Sequence, residues 1–313
     1  MKRQILFYLC LCCLCAGILV FPYRVEREPA VREGTSESGE PSFDEGLVLE
    51  VLHGEKVEKM TLSSYLVGVV SAEMPHSFPM EALKAQAVAA RTFTLKCRAG
   101  GKHTDGDVCT DSSCCQAWTE ELSPHAVEAV LSTDGIVLTY GEELIDATYF
   151  SCSGGRTEAA VAVWGSDVPY LQAVDSPGEE EAPRFRETVE LSPEAFAARL
   201  QSLRPELSLR GSPIKWFGEI RYTVGNGIDM VQIGGAEFKG TELRKLFGLR
   251  STNMRFCVTD EGITVSTLGY GHRVGLSQYG AKAMAEQEQD YTRILCHYYQ
   301  KAEIKRLFHQ EEA

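Results

Sequence analysis

One carboxyl draws attention first. Glu73 closes the run 62–73, in which Tyr65, Leu66, Val69 and Val70 recur at helical spacing, and Glu73 falls on the same stripe. A stripe of that kind faces a core, which takes the carboxyl out of water. The residue also sits at a helix C-terminus, where the macrodipole disfavours negative charge. Both effects push a carboxyl pKa upward. A glutamate that keeps its proton near neutral pH is what general acid catalysis needs. The plainer alternative is a glutamate at a helix end that turns to solvent. Nearby, His103, Cys109, Cys114 and Cys115 fall within 13 residues on a loop rich in Gly and Asp. One imidazole and three thiolates form a closed tetrahedral set for zinc, and closed sets are structural. The spacing matches no generic finger, however, and a disulfide plus a free thiol accounts for the same residues equally well. Lys84, Gln86 and Arg91 follow Glu73 on the next element. Lys84 and Arg91 are seven residues apart and share a helix face, which is either solvated or part of a polar site.

The elements that must hold these residues can be read from pattern. Residues 47–54 and 57–60 alternate as a short hairpin, and 62–73 is helical. Met74-Pro75 ends that helix, because a residue before proline avoids the α region. Pro79 suits the first turn of a second helix, running through ALKAQAVAARTFTLKC. Residues 136–140 and 145–151 read as a strand pair joined at Gly-Glu-Glu. Within a mixed segment, 187–255, the pattern predicts a helix over 193–203, strands near 219–224 and 228–233, and a helix near 241–247. The run GYGHRVGLSQYGAKAMAEQ is a Gly-rich loop opening into a helix, and a last helix follows near 290–300. Helices and strands without regular βαβ alternation predict an α+β fold with antiparallel strands.

The chain has 313 residues, 44% hydrophobic and 24% charged, which are globular values. Its net charge is −13 with no basic block, which excludes nucleic acid as a partner, since phosphate neutralisation needs clustered Lys and Arg. Residues 5–22 form an uncharged run of 18, about 27 Å as a helix and long enough to cross a membrane. We read 1–23 as a transmembrane anchor, with a cleaved signal peptide as the alternative. Lys2 and Arg3 precede the run and Arg24, Arg27 and Arg32 follow it, so charge does not set its orientation. Residues 24–46 are polar and acidic and read as a disordered tether, which leaves 47–313 as the folded part. Cys97, Cys152, Cys257 and Cys296 are scattered, and their pairing is not readable from spacing.

The run YLVGVVSAEMPHSFPMEALKAQAVAARTFTL resembles the signature of the stage II sporulation protein D family, which also contains the amidase enhancer of vegetative cells. DVCTDSSCCQAW, ATYFSCSGGRTE, YLQAVDSPGE and GYGHRVGLSQYGAKAMA resemble further blocks of that family in the same order. The resemblance spans about 60–308 and implies a lytic transglycosylase that cuts peptidoglycan during forespore engulfment. Its substrate would be glycan strands stripped of stem peptides by an amidase, the sporulation protein P. A complex with that amidase and the membrane protein M is implied too, with the catalytic domain on the outer side of the cell membrane behind a single span. The family's catalytic glutamate falls on Glu73. Family zinc ligands follow His-x5-Cys-x4-His-Cys; His103, Cys109 and Cys115 match, and Cys114 replaces the second histidine. Thiolate is also a good zinc ligand, so one structural Zn2+ per chain is implied. The amidase-enhancer branch leaves open a fold that binds glycan or a partner without cutting it.

A lytic transglycosylase needs one group that gives and then takes a proton, and a single glutamate on an apolar face suits it. Ser151, Ser153, His272, Ser277 and Gln278 would orient sugar hydroxyls or acetamido groups; strand-end serines and a loop-packing histidine are the bland alternative. The signatures of a nucleotide deaminase (H-x-E with P-C-x-x-C) and of a serine hydrolase (G-x-S-x-G) are missing. The expectation is one polar groove with Glu73 at its floor, Lys84, Arg91, Ser153, His272 and Gln278 along its walls, and 187–255 to one side.

Overall fold

The computed structural model describes residues 23–26, as backbone, and 42–309. The expected anchor and most of the expected tether lie outside these residues. Among the described residues no helix is long and apolar enough to cross a membrane. Nine α-helices are described: α1 (Phe43–Gly46), α2 (Leu62–Glu73), α3 (Met80–Ala99), α4 (Pro124–Ser132), α5 (Ala160–Trp164), α6 (Pro193–Leu203), α7 (Gly240–Phe247), α8 (Gln278–Glu286) and α9 (Tyr291–Tyr298). With strands that are mostly antiparallel, they make an α+β fold.

α2 starts where Thr61 Oγ1 accepts from the Ser64 N–H at 3.1 Å and stops at Met74, which is extended before Pro75. Its buried face carries Tyr65, Leu66, Val69 and Val70, all without solvent exposure. α3, opened by Pro79, is the hub of the main core; α2, α4, α8 and α9 pack around it, and its alanines allow their close approach. The hairpin of Val48–His53 with Lys56–Thr61 leads into α2, and the short strand Val108–Cys109 adds to its free edge in parallel, Leu52 opposite Cys109. A second sheet places Tyr23–Glu26, Glu303–His309, Ile136–Tyr140 and Glu143–Leu144 side by side.

The pairing that matters most for the site is also parallel, a departure from the antiparallel expectation. Tyr149–Phe150 lies beside Leu276–Ser277, with Tyr149 opposite Leu276 and Phe150 opposite Ser277. This register sets Ser151 level with Gln278 although the two are far apart in the chain.

A second hydrophobic cluster fills the segment Arg186–Leu268. Phe196 stacks on Phe247 with ring centres 4.9 Å apart, and Phe217 and Phe256 close around them. This unit exceeds the expected 187–255 because Met254–Val258 and Ile263–Leu268 pair with Arg186–Leu191.

The folded part starts earlier than the expected residue 47. Ser42 Oγ donates to Asp134 at 2.7 Å, Phe43 is buried in the main core, and Asp44 is buried against Arg91. Tyr23–Glu26 also pairs with Glu303–His309. Polar composition in 24–46 therefore hid anchoring contacts at both ends of the segment.

Candidate active site and metal-ligand loop

Glu73 ends α2 at the edge of a cavity of about 420 Å³ lined by Ser71–Pro75, Ser151, Pro183, Arg184, Tyr270, Gln278 and Tyr279. One carboxylate oxygen accepts the Ala117 N–H at 2.9 Å and the other accepts Gln278 Nε2 at 3.1 Å. Tyr149, whose OH donates to Gln116 Oε1 at 2.8 Å, lies close to the carboxyl as well. Burial pushes the Glu73 carboxyl above the usual range, against the pull of these hydrogen bonds. The group is thus a half-buried acid held by two hydrogen bonds and open to the cavity. Arg184 also lines the cavity, and its guanidinium lies 5.3 Å from the Tyr270 ring centre.

The Ala117 N–H comes from the loop that carries the four soft donors. His103, Cys109, Cys114 and Cys115 bring one ligand atom each to within 4.8 Å of one another. His103 Nε2 is 3.2 Å from Cys115 Sγ and 3.8 Å from Cys114 Sγ. Sulfurs on a tetrahedral zinc with bonds of about 2.3 Å stand about 3.8 Å apart, so the donor set has the size and chemistry of a structural zinc site. Cys109 joins the hairpin sheet, and the Cys115 N–H donates to Asp111 O at 2.8 Å. Three residues later Trp118 lies so close to Gly68 of α2 that any Cβ there would fall 2.1 Å from its Nε1, which makes glycine obligatory at that point.

The expected site residues divide. Glu73, Ser151 and Gln278 meet at the cavity. Lys84 does not reach it; its ammonium pairs with Glu81 at 2.8 Å, and Glu81 in turn accepts the Tyr291 N–H at the start of α9. Gln86 is buried within α3, and among the described residues neither of its amide atoms has a hydrogen-bond partner. Arg91 is a core residue. Its guanidinium forks onto Asp44 at 2.6 and 2.9 Å and donates to the carbonyls of Val130 and Ile136. Ser153 and Ser277 are buried and donate to Glu179, at 2.8 and 2.5 Å. Glu179 also accepts the backbone N–H groups of Ser153 and Gly154, so it ties the 151–155 loop to the start of α8.

His272 is likewise occupied. Its Nδ1 accepts the Val274 N–H at 3.1 Å, which leaves Nε2–H to donate to Tyr149 O at 3.0 Å. Burial lowers its pKa to about 4, so it is a neutral brace beneath Tyr149. The residues that pattern reading passed over are Tyr149, Gln116, Arg184, Tyr270 and Tyr279. Four of them stand in the quoted blocks or one residue from a quoted serine or cysteine; Arg184 stands outside them.

This geometry defines a class: an α+β protein with one braced carboxyl acid in an open cavity, backed by a loop of four His and Cys donors. A sequence model described as Stage II sporulation protein matches residues 53–140, which contain both features. The chain is 34% identical to stage II sporulation protein D of Bacillus amyloliquefaciens, over 92% of this chain and 90% of that protein. It is 35% identical to the protein of the same name in Bacillus subtilis (strain 168), over 80% of this chain and 76% of that one. It is also 31% identical to the amidase enhancer of Bacillus subtilis (strain 168), over 75% of this chain and 39% of that protein. The chain belongs to the stage II sporulation protein D family, a family of sporulation proteins.

Proposed function

We propose that the chain is a lytic transglycosylase that cuts peptidoglycan glycan strands already freed of stem peptides, with Glu73 as both acid and base. The observation that carries this reading is the cavity lining: among the described residues, Glu73 is its only carboxylate. Retaining and inverting hydrolases use two carboxyls, the second to activate water or hold the sugar. With one, the sugar's own 6-hydroxyl replaces water. Glu73 gives its proton to the glycosidic oxygen as the bond from C1 breaks. The carboxylate then takes the proton of the 6-hydroxyl as O6 bonds to C1, which closes an anhydro ring and restores the acid. No water is consumed. Between the two transfers the Ala117 N–H and Gln278 Nε2 stabilise the carboxylate.

In this reading His103, Cys109, Cys114 and Cys115 hold one structural zinc per chain. When bound, it supplies a cross-link that fixes the loop presenting Ala117; a closed four-donor set leaves no position for a water ligand. Residues 5–22 would anchor the chain in the cell membrane with the folded part outside. Its partners would be the peptide-stripping amidase, sporulation protein P, and the membrane protein M.

The amidase-enhancer relative favours a second reading, in which the cavity binds glycan and the chain stimulates an amidase without cutting. Strands pre-treated with an amidase separate the two. The full chain in detergent is expected to shorten them, and Glu73→Gln is not. Strands that co-sediment with the chain and keep their length would support the second reading and overturn the first.

A further inference from the structure

Arg184 lines the cavity with Glu73, and no carboxylate pairs with it among the described residues. Its Nη1 donates to Tyr270 OH at 3.3 Å. Arg250 packs against the same ring, 5.7 Å from its centre, but pairs with Glu187 at 2.9 Å. Glu181, three residues before Arg184, is taken by Lys282 at 3.2 Å. The unpaired guanidinium is nonetheless held in place. The Phe185 N–H donates to Ala182 O at 2.9 Å, and Phe185 O accepts the Gly269 N–H at 2.7 Å, which ties the turn carrying Arg184 to the residue before Tyr270. Tyr270 exchanges both backbone hydrogen bonds with Cys152, next to Ser151 of the cavity lining. An arginine ordered this way gives up side-chain freedom without gaining an ion pair inside the protein.

We propose that Arg184 binds the lactyl carboxylate that an amidase leaves on a muramyl residue, and so makes the site select stripped strands over peptide-bearing ones. Muramyl residues alternate with N-acetylglucosamine along a strand, and each carries a 3-O-lactyl group joined to its stem peptide by an amide. Hydrolysis of that amide consumes one water, releases the peptide amine and leaves a carboxylate. The amide offers a guanidinium no anion; the carboxylate accepts two parallel N–H groups from its fork. Because the two sugars alternate, one of the pair flanking any cleaved bond carries a lactyl group. Glu73 and Arg184 line one cavity of about 420 Å³, so the strand cut by the acid presents that group to the same cavity. Among the described residues Arg184 is the only cation in the lining, and it is not spent on Glu73. The chain carries a net charge of −13, so bulk charge does not draw an anionic strand to it, and the attraction has to be local.

The inference rests on stripped strands being the ligand, as proposed above, but its test reads binding and no cleavage. The full Glu73→Gln chain in detergent, which leaves strands whole, is titrated by calorimetry with two ligands. One is amidase-stripped strands; the other is the same strands after their carboxylates are condensed with methylamine to neutral amides. The stripped strands are expected to bind at least about tenfold more tightly, the scale of a hydrogen bond to a charged group. Arg184→Met in the same background should weaken binding of the stripped strands by a similar factor and leave the methylamide strands within about twofold. Equal affinity of the Glu73→Gln chain for both ligands overturns the proposal, and so does a failure to bind stripped strands. An equal loss on both ligands in Arg184→Met overturns it too, and would mark Arg184 as support for the Tyr270 ring. If the affinity difference is found and the wild-type chain does not shorten stripped strands, the enzyme reading fails and the inference stands.

Discussion

Replacing Glu73 by Gln should separate the site's chemistry from its stability. The amide has the same size, and Gln278 can turn its own amide over to match it, so the contacts at 2.9 and 3.1 Å are retained in kind. What is lost is the proton. General acid–base catalysis is worth roughly two to four orders of magnitude, or about 3 to 5 kcal/mol of barrier. Cutting of amidase-treated strands should therefore fall by at least about 100-fold while strand binding is kept. Stability should move the other way. Burial raises the Glu73 pKa, so the folded chain holds this proton to higher pH than the unfolded chain does. The wild-type fold then loses stability as pH rises through the native pKa, by about 1.4 kcal/mol for each unit of displacement. Glutamine does not titrate, so the melting temperature of the variant should gain on that of the wild type as pH rises above the ordinary carboxyl range. Wild-type cutting by Glu73→Gln would refute the acid assignment. A difference in melting temperature between variant and wild type that does not change with pH would refute the buried-acid argument.

Three further outcomes are expected. Arg91→Met leaves Asp44 buried without its partner, and urea unfolding should show a loss of about 3–5 kcal/mol; a loss under about 1 kcal/mol would mean the pair is not structural. Metal analysis of the full chain purified under reducing conditions should find one zinc, retained in Cys114→His and lost in Cys115→Ser; a native disulfide among these thiols would contradict the site. His272 is held neutral down to about pH 4, whereas the unfolded residue protonates near 6.5. Stability is therefore lost as pH falls through that interval, by at most about 3 kcal/mol, and His272→Gln should lack this acid limb in thermal melts.

Local pattern made α2, α3 and Glu73 legible, because apolar spacing and two prolines act within a few residues. The same reasoning misplaced Arg91. A seven-residue spacing says which residues share a helix face, and not that Asp44 waits opposite that face. Asp44 itself sat in a segment whose polarity reads as a tether, yet Phe43 and Asp44 together close the core. Ser153 and Ser277 were expected at the substrate, and they converge instead on Glu179, a carboxylate that no spacing links to either. Tyr149 escaped notice because its place under Glu73 depends on a two-residue parallel pairing with Leu276 and Ser277. Gln116 escaped because its partners, Thr94 and Tyr149, are brought to it only by the tertiary fold. Quoted blocks located the neighbourhood, and tertiary register chose the residues within it.

The most direct test of a single-carboxyl site is the chemical form of the ends it makes. Peptide-free glycan strands are incubated with the full chain, and the products are weighed by mass spectrometry. Internal attack by the 6-hydroxyl yields anhydro ends, and each product that carries one is lighter by one water than its hydrolytic counterpart; this is the expected result. Reducing ends would require a second group to activate water beside Glu73 and would contradict the account.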